Sequence, residues 1–479
     1  MISAADYMQF DALGLAEQVR TGALSAAEVL EAAIARAEAV NPAINALAHR
    51  RYDDARREVL DPADGPFAGV PWVMKDLGHP VAGAPLTGGS RAFRDVVSGE
   101  DAESVRRFRA AGLTVFATST TPEFGLTVTT ESSLYGLTRN PWNLERSAGG
   151  SSGGAAALVA AGVLPTAHAT DGGGSIRVPA SCCGLFGLKP SRGRTPVGHG
   201  VTEGWNGLAV SHAVTRSVRD SAALLDDAAG REPGSRTDAP EPFGLRFADS
   251  AQRTPAALLG RPARVAVMFE PFSGVPVDAE CRRAVEAAAA LCAELGLEVE
   301  EARPQVDGPA LGRAMMAVTS AHTAATIDAR EAALGRKLRD DELETATWAF
   351  VEAGRSTRAT ELIAADLAFQ TAAAAIGRFQ QRYDLILSPT LAAPPAPLER
   401  LSLNQPVAAY GAAFVAYCPF TAVYNQTGAP AMSVPLHWTA DGLPVGVQFA
   451  ARLGEEGLLL SLAAELERAR PWAGRRPPL

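Results

Sequence analysis

Two serines set among glycines are the residues whose type and spacing best suit chemistry. Ser151 sits in Ala148-Gly149-Gly150-Ser151-Ser152-Gly153-Gly154, and Ser175 follows Asp171-Gly172-Gly173-Gly174, 24 residues further on. Glycines this dense let the backbone approach a ligand closely and adopt positive φ, at a cost in folding entropy. Gly172-Gly173-Gly174 runs straight into Ser175, after which Ile176-Arg177-Val178 can begin a helix. A hydroxyl among converging N–H groups at a helix start suits an anion or a developing oxyanion. A glycine-rich connector in a core would do no chemistry. A phosphate-binding loop needs Gly-Lys and then Ser or Thr, and no lysine follows these glycines. Acyl transfer with a serine nucleophile is the third possibility.

Gly149-Gly150-Ser151-Ser152-Gly153 satisfies the G-x-S-x-G spacing of a nucleophile elbow. An elbow needs an acid and then a histidine downstream. Asp384 and His437 are candidates, but nothing in the sequence around them looks like a triad. The whole stretch instead resembles the signature of the amidase signature family: G-G-S-S-G-G, then T-D-x-G-G-S-I-R-x-P, then C-G-x-x-G-L-K-P. Thr170 to Pro179 fits the second block and Cys183 to Pro190 the third. Gly69-Val70-Pro71-Trp72-Val73-Met74-Lys75-Asp76 resembles the family's G-V-P-x-x-x-K-D segment, 76 residues ahead of Ser151.

The resemblance implies a Ser-Ser-Lys mechanism. Ser175 would attack the carbonyl, Ser151 would relay its proton, and Lys75 would accept it. It further implies a cis peptide bond between Gly150 and Ser151. The N–H groups of Gly172, Gly173, Gly174 and Ser175 would form the oxyanion hole. Gly149, Gly150, Thr127, Trp205 and Asn206 are expected to meet the substrate, and no metal or cofactor is required. A lysine acts as base only when neutral, so its ordinary pKa of about 10.4 must be lowered. Burial and the positive field of the glycine N–H groups are the expected causes. None of the seven histidines sits in the signature blocks; His168, just before Thr170, is expected to pack beside the sheet.

The implied fold is α/β, a large twisted mixed β-sheet covered on both faces by helices. The chain reads as a single domain over 1–479, with a catalytic core at about 65–220. A variable, substrate-shaping and largely helical part follows at about 230–380, and 381–479 returns to the sheet. The implied activity is hydrolysis of small linear, aryl or cyclic amides, with carbamates (urethanes) and esters as further candidates. Within the family the chain looks most similar to bacterial amidases of the 6-aminohexanoate cyclic-dimer hydrolase type, on Leu436-His437-Trp438 and the ending Ala469 to Pro478. Two rival readings share the signature: a glutamyl-tRNA amidotransferase A-type subunit working in a complex, and a catalytically silent relative acting as a binding module.

The elements that must position these residues are partly legible. Ser25-Ala26-Ala27-Glu28 is a capping box, and Val29, Leu30, Ala33, Ile34 and Ala37 follow at helical spacing to an end near Asn41-Pro42. Val70 to Met74 reads as a short buried strand ending at Lys75. Residues 102–113 read as a helix, and Thr114 to Ala117 as a strand. One short helix and one short strand separate Ser151 from Ser175. Glu123 reads as a structural contact to nearby backbone. The loop Pro196 to Gly207, with Gly198, His199, Gly200, Glu203, Trp205 and Asn206, is rich in groups that could touch substrate. Residues 230–254 read as surface connection, 263–300 as a strand–helix–strand unit, 308–382 as helices, and Asp384 to Thr390 as a strand.

Composition bounds the rest. The chain has 479 residues, 47% of them hydrophobic and 20% charged, which supports an extensive core. A net charge of −9 argues against a nucleic-acid surface. Five cysteines, including the adjacent Cys182 and Cys183, form neither a disulfide framework nor a metal-binding spacing. The N-terminal residues lack a secretory pattern, and no apolar run approaches membrane-spanning length. The expectation is a cytoplasmic enzyme, monomer or homodimer, acting on a small-molecule amide without nucleic-acid or membrane partners.

Overall fold

Ser25 starts the first long helix as predicted: its hydroxyl caps the Glu28 N–H, and the Glu28 carboxylate returns to the Ser25 N–H. The helix runs Ala26–Ile44, past the predicted end. Pro42 falls in its last turn, and Asn41 replaces the missing continuation by accepting from the Ala46 and Leu47 N–H groups. The computed structural model describes residues 2–198 and 202–479.

The first sheet has three strands, β1 (Leu47–Arg50), β2 (Pro71–Lys75) and β3 (Thr114–Ser119), in the order β1-β3-β2. β2 and β3 run parallel, and β1 is antiparallel to β3. All five residues of β2 are buried, so Lys75 does not reach solvent at the strand end.

The second sheet has eight strands: β4 (Thr166–Asp171), β5 (Phe186–Lys189), β6 (Val210–Thr215), β7 (Arg264–Val267), β8 (Glu298–Glu301), β9 (Leu385–Pro389), β10 (Ala431–Trp438) and β11 (Pro444–Ala450). Their order is β8-β7-β9-β11-β10-β5-β6-β4. β7 pairs in parallel with β8 and β9, and the remaining pairs are antiparallel, so the sheet is mixed.

Alternation along the strands sends successive side chains to opposite faces. Leu385 and Leu387 join one core with Val265, Met432, Val447 and helices Val218–Ala228, Ala279–Glu294 and Glu456–Ala469. Ile386, Ala431 and Ala450 face the other core, under helices Gly308–Leu334 and Ala359–Phe379. Both faces are therefore covered by helices, as predicted. Helix Ala359–Phe379 corrects one expectation, being long and apolar enough by composition to cross a membrane. It carries Glu361 and Asp366, and it packs on the sheet through Ala365, Phe369, Ala372 and Ile376.

The two sheets meet at β2 and β4. The Lys75 N–H donates to His168 Nδ1 at 3.2 Å, and His168 Nε2 pairs with Ser211 Oγ on β6 at 2.9 Å. His168 thus lies in β4 itself and bridges the sheets, rather than packing beside them. Burial, with Lys75 close by, holds it well below the usual histidine range, so it is neutral with its proton on Nε2.

Candidate active site

Lys75 enters from the end of β2 and is 1% exposed. Its Nζ lies 2.7 Å from Ser151 Oγ, 3.0 Å from Ser152 Oγ and 2.9 Å from Thr170 Oγ1. Burial pushes its pKa down to about 7, against the opposing pull of Asp171. Desolvation is the cause of the lowering, and the Asp171 charge opposes it. As an amine, Nζ has two N–H groups and one lone pair. Ser152 Oγ donates to Thr170 O at 3.2 Å, which leaves it an acceptor toward Lys75. With the two N–H groups on Ser152 and Thr170, the lone pair is directed at the Ser151 hydroxyl.

Ser151 sits where chain segments approach closely. The Gly150–Ser151 bond is cis, as the resemblance implied. A Cβ on Gly150 would come within 2.2 Å of Thr129 O, and one on Gly153 within 2.4 Å of Thr130 Oγ1. Thr130 Oγ1 donates to Gly149 O and accepts from the Gly153 N–H, each at 2.9 Å, which holds both sides of the turn. Gly149 and Gly150 back onto Pro179 and Thr129 rather than facing open space.

Ser175 sits between β4 and helix Arg177–Cys183, on the wall of a cavity of about 450 Å³. The loop leading to it is braced by a buried ion pair. Asp171 accepts from Arg177 Nη2 at 2.9 Å and Nε at 3.0 Å, and both side chains are fully buried. Arg177 also donates to Thr421 O, Gln448 Oε1 and Asn425 Oδ1. Burial alone would push the Asp171 carboxyl up, but the Arg177 guanidinium, with hydrogen bonds from Arg177 and Asn425, holds it well below its usual range.

This network corrects one predicted donor. The Gly174 N–H is taken by Asp171 Oδ1 at 2.7 Å, and the Ile176 N–H by Asp171 Oδ2 at 3.1 Å. Gly174 therefore has no N–H left for an oxyanion. Its glycine is needed for geometry: φ is 141°, and a Cβ would meet Thr421 Oγ1 at 2.5 Å. The N–H groups of Gly172, Gly173 and Ser175 have no acceptor among the described residues.

Thr127, Gly173, Ser175 and Trp205 line the cavity, together with Leu126, Phe272, Met315, Phe350, Tyr410, Phe414 and Gln426. Gly125 also forms part of the wall, and a Cβ there would come within 3.1 Å of Ser151 Oγ, so the serine lies directly behind it. Among the described residues the lining carries no charged side chain. Asn206 is not among these lining residues and pairs through Oδ1 with His322 Nε2 at 2.9 Å. His199 and Gly200 lie outside the described residues. Glu123 is structural: it accepts from Ser90 Oγ at 2.6 Å and from the distant Glu344 N–H at 2.8 Å. The elbow candidates are occupied elsewhere, Asp384 by Arg261 and Arg452 and His437 by Glu280.

Residues 28–460 match the family model described as Amidase. The chain belongs to the amidase family. It is 39% identical to the 6-aminohexanoate-cyclic-dimer hydrolase of Paenarthrobacter ureafaciens, over 98% of this chain and 96% of that one. A solved structure of 6-aminohexanoate cyclic dimer hydrolase superposes with a TM-score of 0.92 at 37% identity, covering 98% of this chain and 99% of the other. The A-type subunit of glutamyl-tRNA(Gln) amidotransferase from Thermotoga maritima gives a TM-score of 0.73 at 25% identity, covering 99% and 97%. The chain is an amide hydrolase acting on C–N bonds, similar to enzymes of cyclic amides.

Sequence reasoning had no role for Ser152 or Thr170, although both stand inside the segments it singled out, and none for Asn425. It also had no signal for the apolar lining, because Leu126, Phe350 and Phe414 come from segments far apart in the chain.

Proposed function

We propose that this amidase hydrolyses small neutral amides through Ser175, Ser151 and Lys75. Ser175 Oγ attacks the substrate carbonyl as its proton passes to Ser151, whose own proton goes to neutral Lys75. The tetrahedral oxyanion is met by the free N–H groups of Gly172, Gly173 and Ser175. The proton returns through Ser151 to the leaving amine, the C–N bond breaks, and water releases the acyl group from Ser175 by the same relay. The observation that carries this reading is the buried Lys75 amine, 2.7 Å from Ser151 Oγ, with its other two contacts on hydroxyls able to accept.

The lining supports neutral substrates with apolar arms, since burying an unpaired charge against it would be costly. Linear amides, anilides, lactams and carbamates fit that description. A glutamine-hydrolysing subunit has to hold an ammonium and a carboxylate, and the described lining offers a counter-charge to neither. The test is turnover of a panel of neutral and charged amides by the purified chain, with sulfonyl fluoride labelling. Turnover confined to neutral members, label on the Ser175 peptide, and loss of several orders of magnitude in Ser175→Ala are expected. Near-normal turnover by Ser175→Ala would overturn the assignment.

A further inference from the structure

Gln426 stands in the cavity wall and has no part in the proton relay. It ends the short helix Ala422–Gln426 and is 4% exposed. Its Nε2 donates to Leu311 O at 3.2 Å, and its backbone carbonyl accepts from Arg192 Nη2 at 3.0 Å. The preceding residue, Asn425, is tied into the Asp171–Arg177 network. The side chain is therefore held from both ends. Its Oε1 has no partner among the described residues.

Three hydroxyls of the surrounding wall are committed elsewhere. Thr127 donates its hydroxyl proton to Leu401 O, Thr319 to Met315 O, and Tyr410 to Leu126 O. That oxygen is unpaired but not sealed off, so it is open to a partner from the cavity, and amide oxygens are ordinarily satisfied. A fixed acceptor facing an apolar, uncharged cavity fits a ligand that brings its own donor.

We propose that Gln426 Oε1 is a specificity determinant that accepts a hydrogen bond from an N–H donor on the substrate's apolar arm, away from the scissile bond. The substrate class is then a neutral amide carrying a second N–H, as in a diamide. This rests on the amide-hydrolase reading above and deepens it. A site built to pair with an N–H discriminates against the analogue lacking it, because the protein oxygen is left unpaired in that complex.

The experiment uses two anilides with arms of equal length. One arm contains a secondary amide, and in the other a methylene replaces its N–H to give the ketone. The ratio of their kcat/KM values is measured for the wild type and for Gln426→Met. A wild-type preference of about tenfold for the N–H arm is expected, falling to near one in Gln426→Met. Equal wild-type rates on the two arms overturn the proposal, and so does a preference that persists in a folded Gln426→Met. The wild-type ratio decides alone if that variant does not fold. Failure on both arms, with no label on Ser175, would instead fail the amide-hydrolase reading on which the proposal stands.

Discussion

Replacing Thr170 with valine should move the rising limb of kcat/KM about one pH unit toward acid. Thr170 Oγ1 lies 2.9 Å from Lys75 Nζ and accepts from it in either protonation state. A hydrogen bond from a charged donor contributes about 1.5–3 kcal/mol, against about 0.5–1.5 for a neutral one. Removing the acceptor therefore disfavours the ammonium over the amine by about 1–1.5 kcal/mol. At about 1.4 kcal/mol per pH unit this lowers the Lys75 pKa from its value of about 7 by roughly one. The sign follows directly: a base that is harder to protonate is already neutral at lower pH, so activity persists further into acid. Above the limb the rate should fall a few-fold, because the weaker base draws the Ser151 proton less strongly.

The assay is kcat/KM on one neutral anilide from pH 5 to 9, wild type against Thr170→Val, with folding followed over the same range. The substitution also distinguishes Lys75 from a second buried lysine. Lys189 is likewise pushed down to about 7 by burial and the neighbouring Arg177, but its Nζ contacts Pro190 O and it does not line the cavity. A limb that stays in place in Thr170→Val would mean that Lys75 is not the titrating group. His79, His168 and His212 are all buried and held far below the usual histidine range, so none of them can replace it as the source of a limb near neutrality.

Ser151→Ala and Lys75→Ala should each lose several orders of magnitude in kcat, and the double variant should lose little more. A product of the two single losses in the double variant would show that they act independently. Gly150→Ala should destabilise the fold by about 3 kcal/mol, seen in chemical denaturation, because its Cβ would stand 2.2 Å from Thr129 O. An unchanged denaturation midpoint would refute that steric argument. Arg177→Met should cost about 3–5 kcal/mol by leaving the buried Asp171 carboxylate without its partner, and a stable variant would show that the pair is dispensable.

The local elements were legible where a short-range signal decided them. The Ser25–Glu28 capping box and the β2 strand ending at Lys75 are set by neighbours a few residues away. The helix runs past Pro42 to Ile44, and Asn41 Oδ1 accepts from the first N–H groups beyond its end, a contact that the propensity of proline does not reveal. The relay residues could be named through resemblance, but their electrostatics could not. Asp171 looks in the sequence like one more residue of a glycine loop. Packing brings Asn425 to its carboxylate and Gln448 to the Arg177 that pairs with it, and the same carboxylate takes the Gly174 N–H from the substrate. The cavity lining was illegible for a similar reason: its apolar residues carry ordinary core periodicity, and the gap they surround exists only in three dimensions.

The His168 bridge makes the distance between base and relay serine a property of a seam rather than of either sheet. Lys75 belongs to the sheet built from the first 119 residues, while Ser152 and Thr170 reach it from the other side. A slip of one sheet past the other by little more than an ångström would part Lys75 from Ser151 while leaving nearly every backbone hydrogen bond intact. Heating should therefore silence the enzyme some degrees before its circular dichroism collapses, and cooling from that interval should restore it.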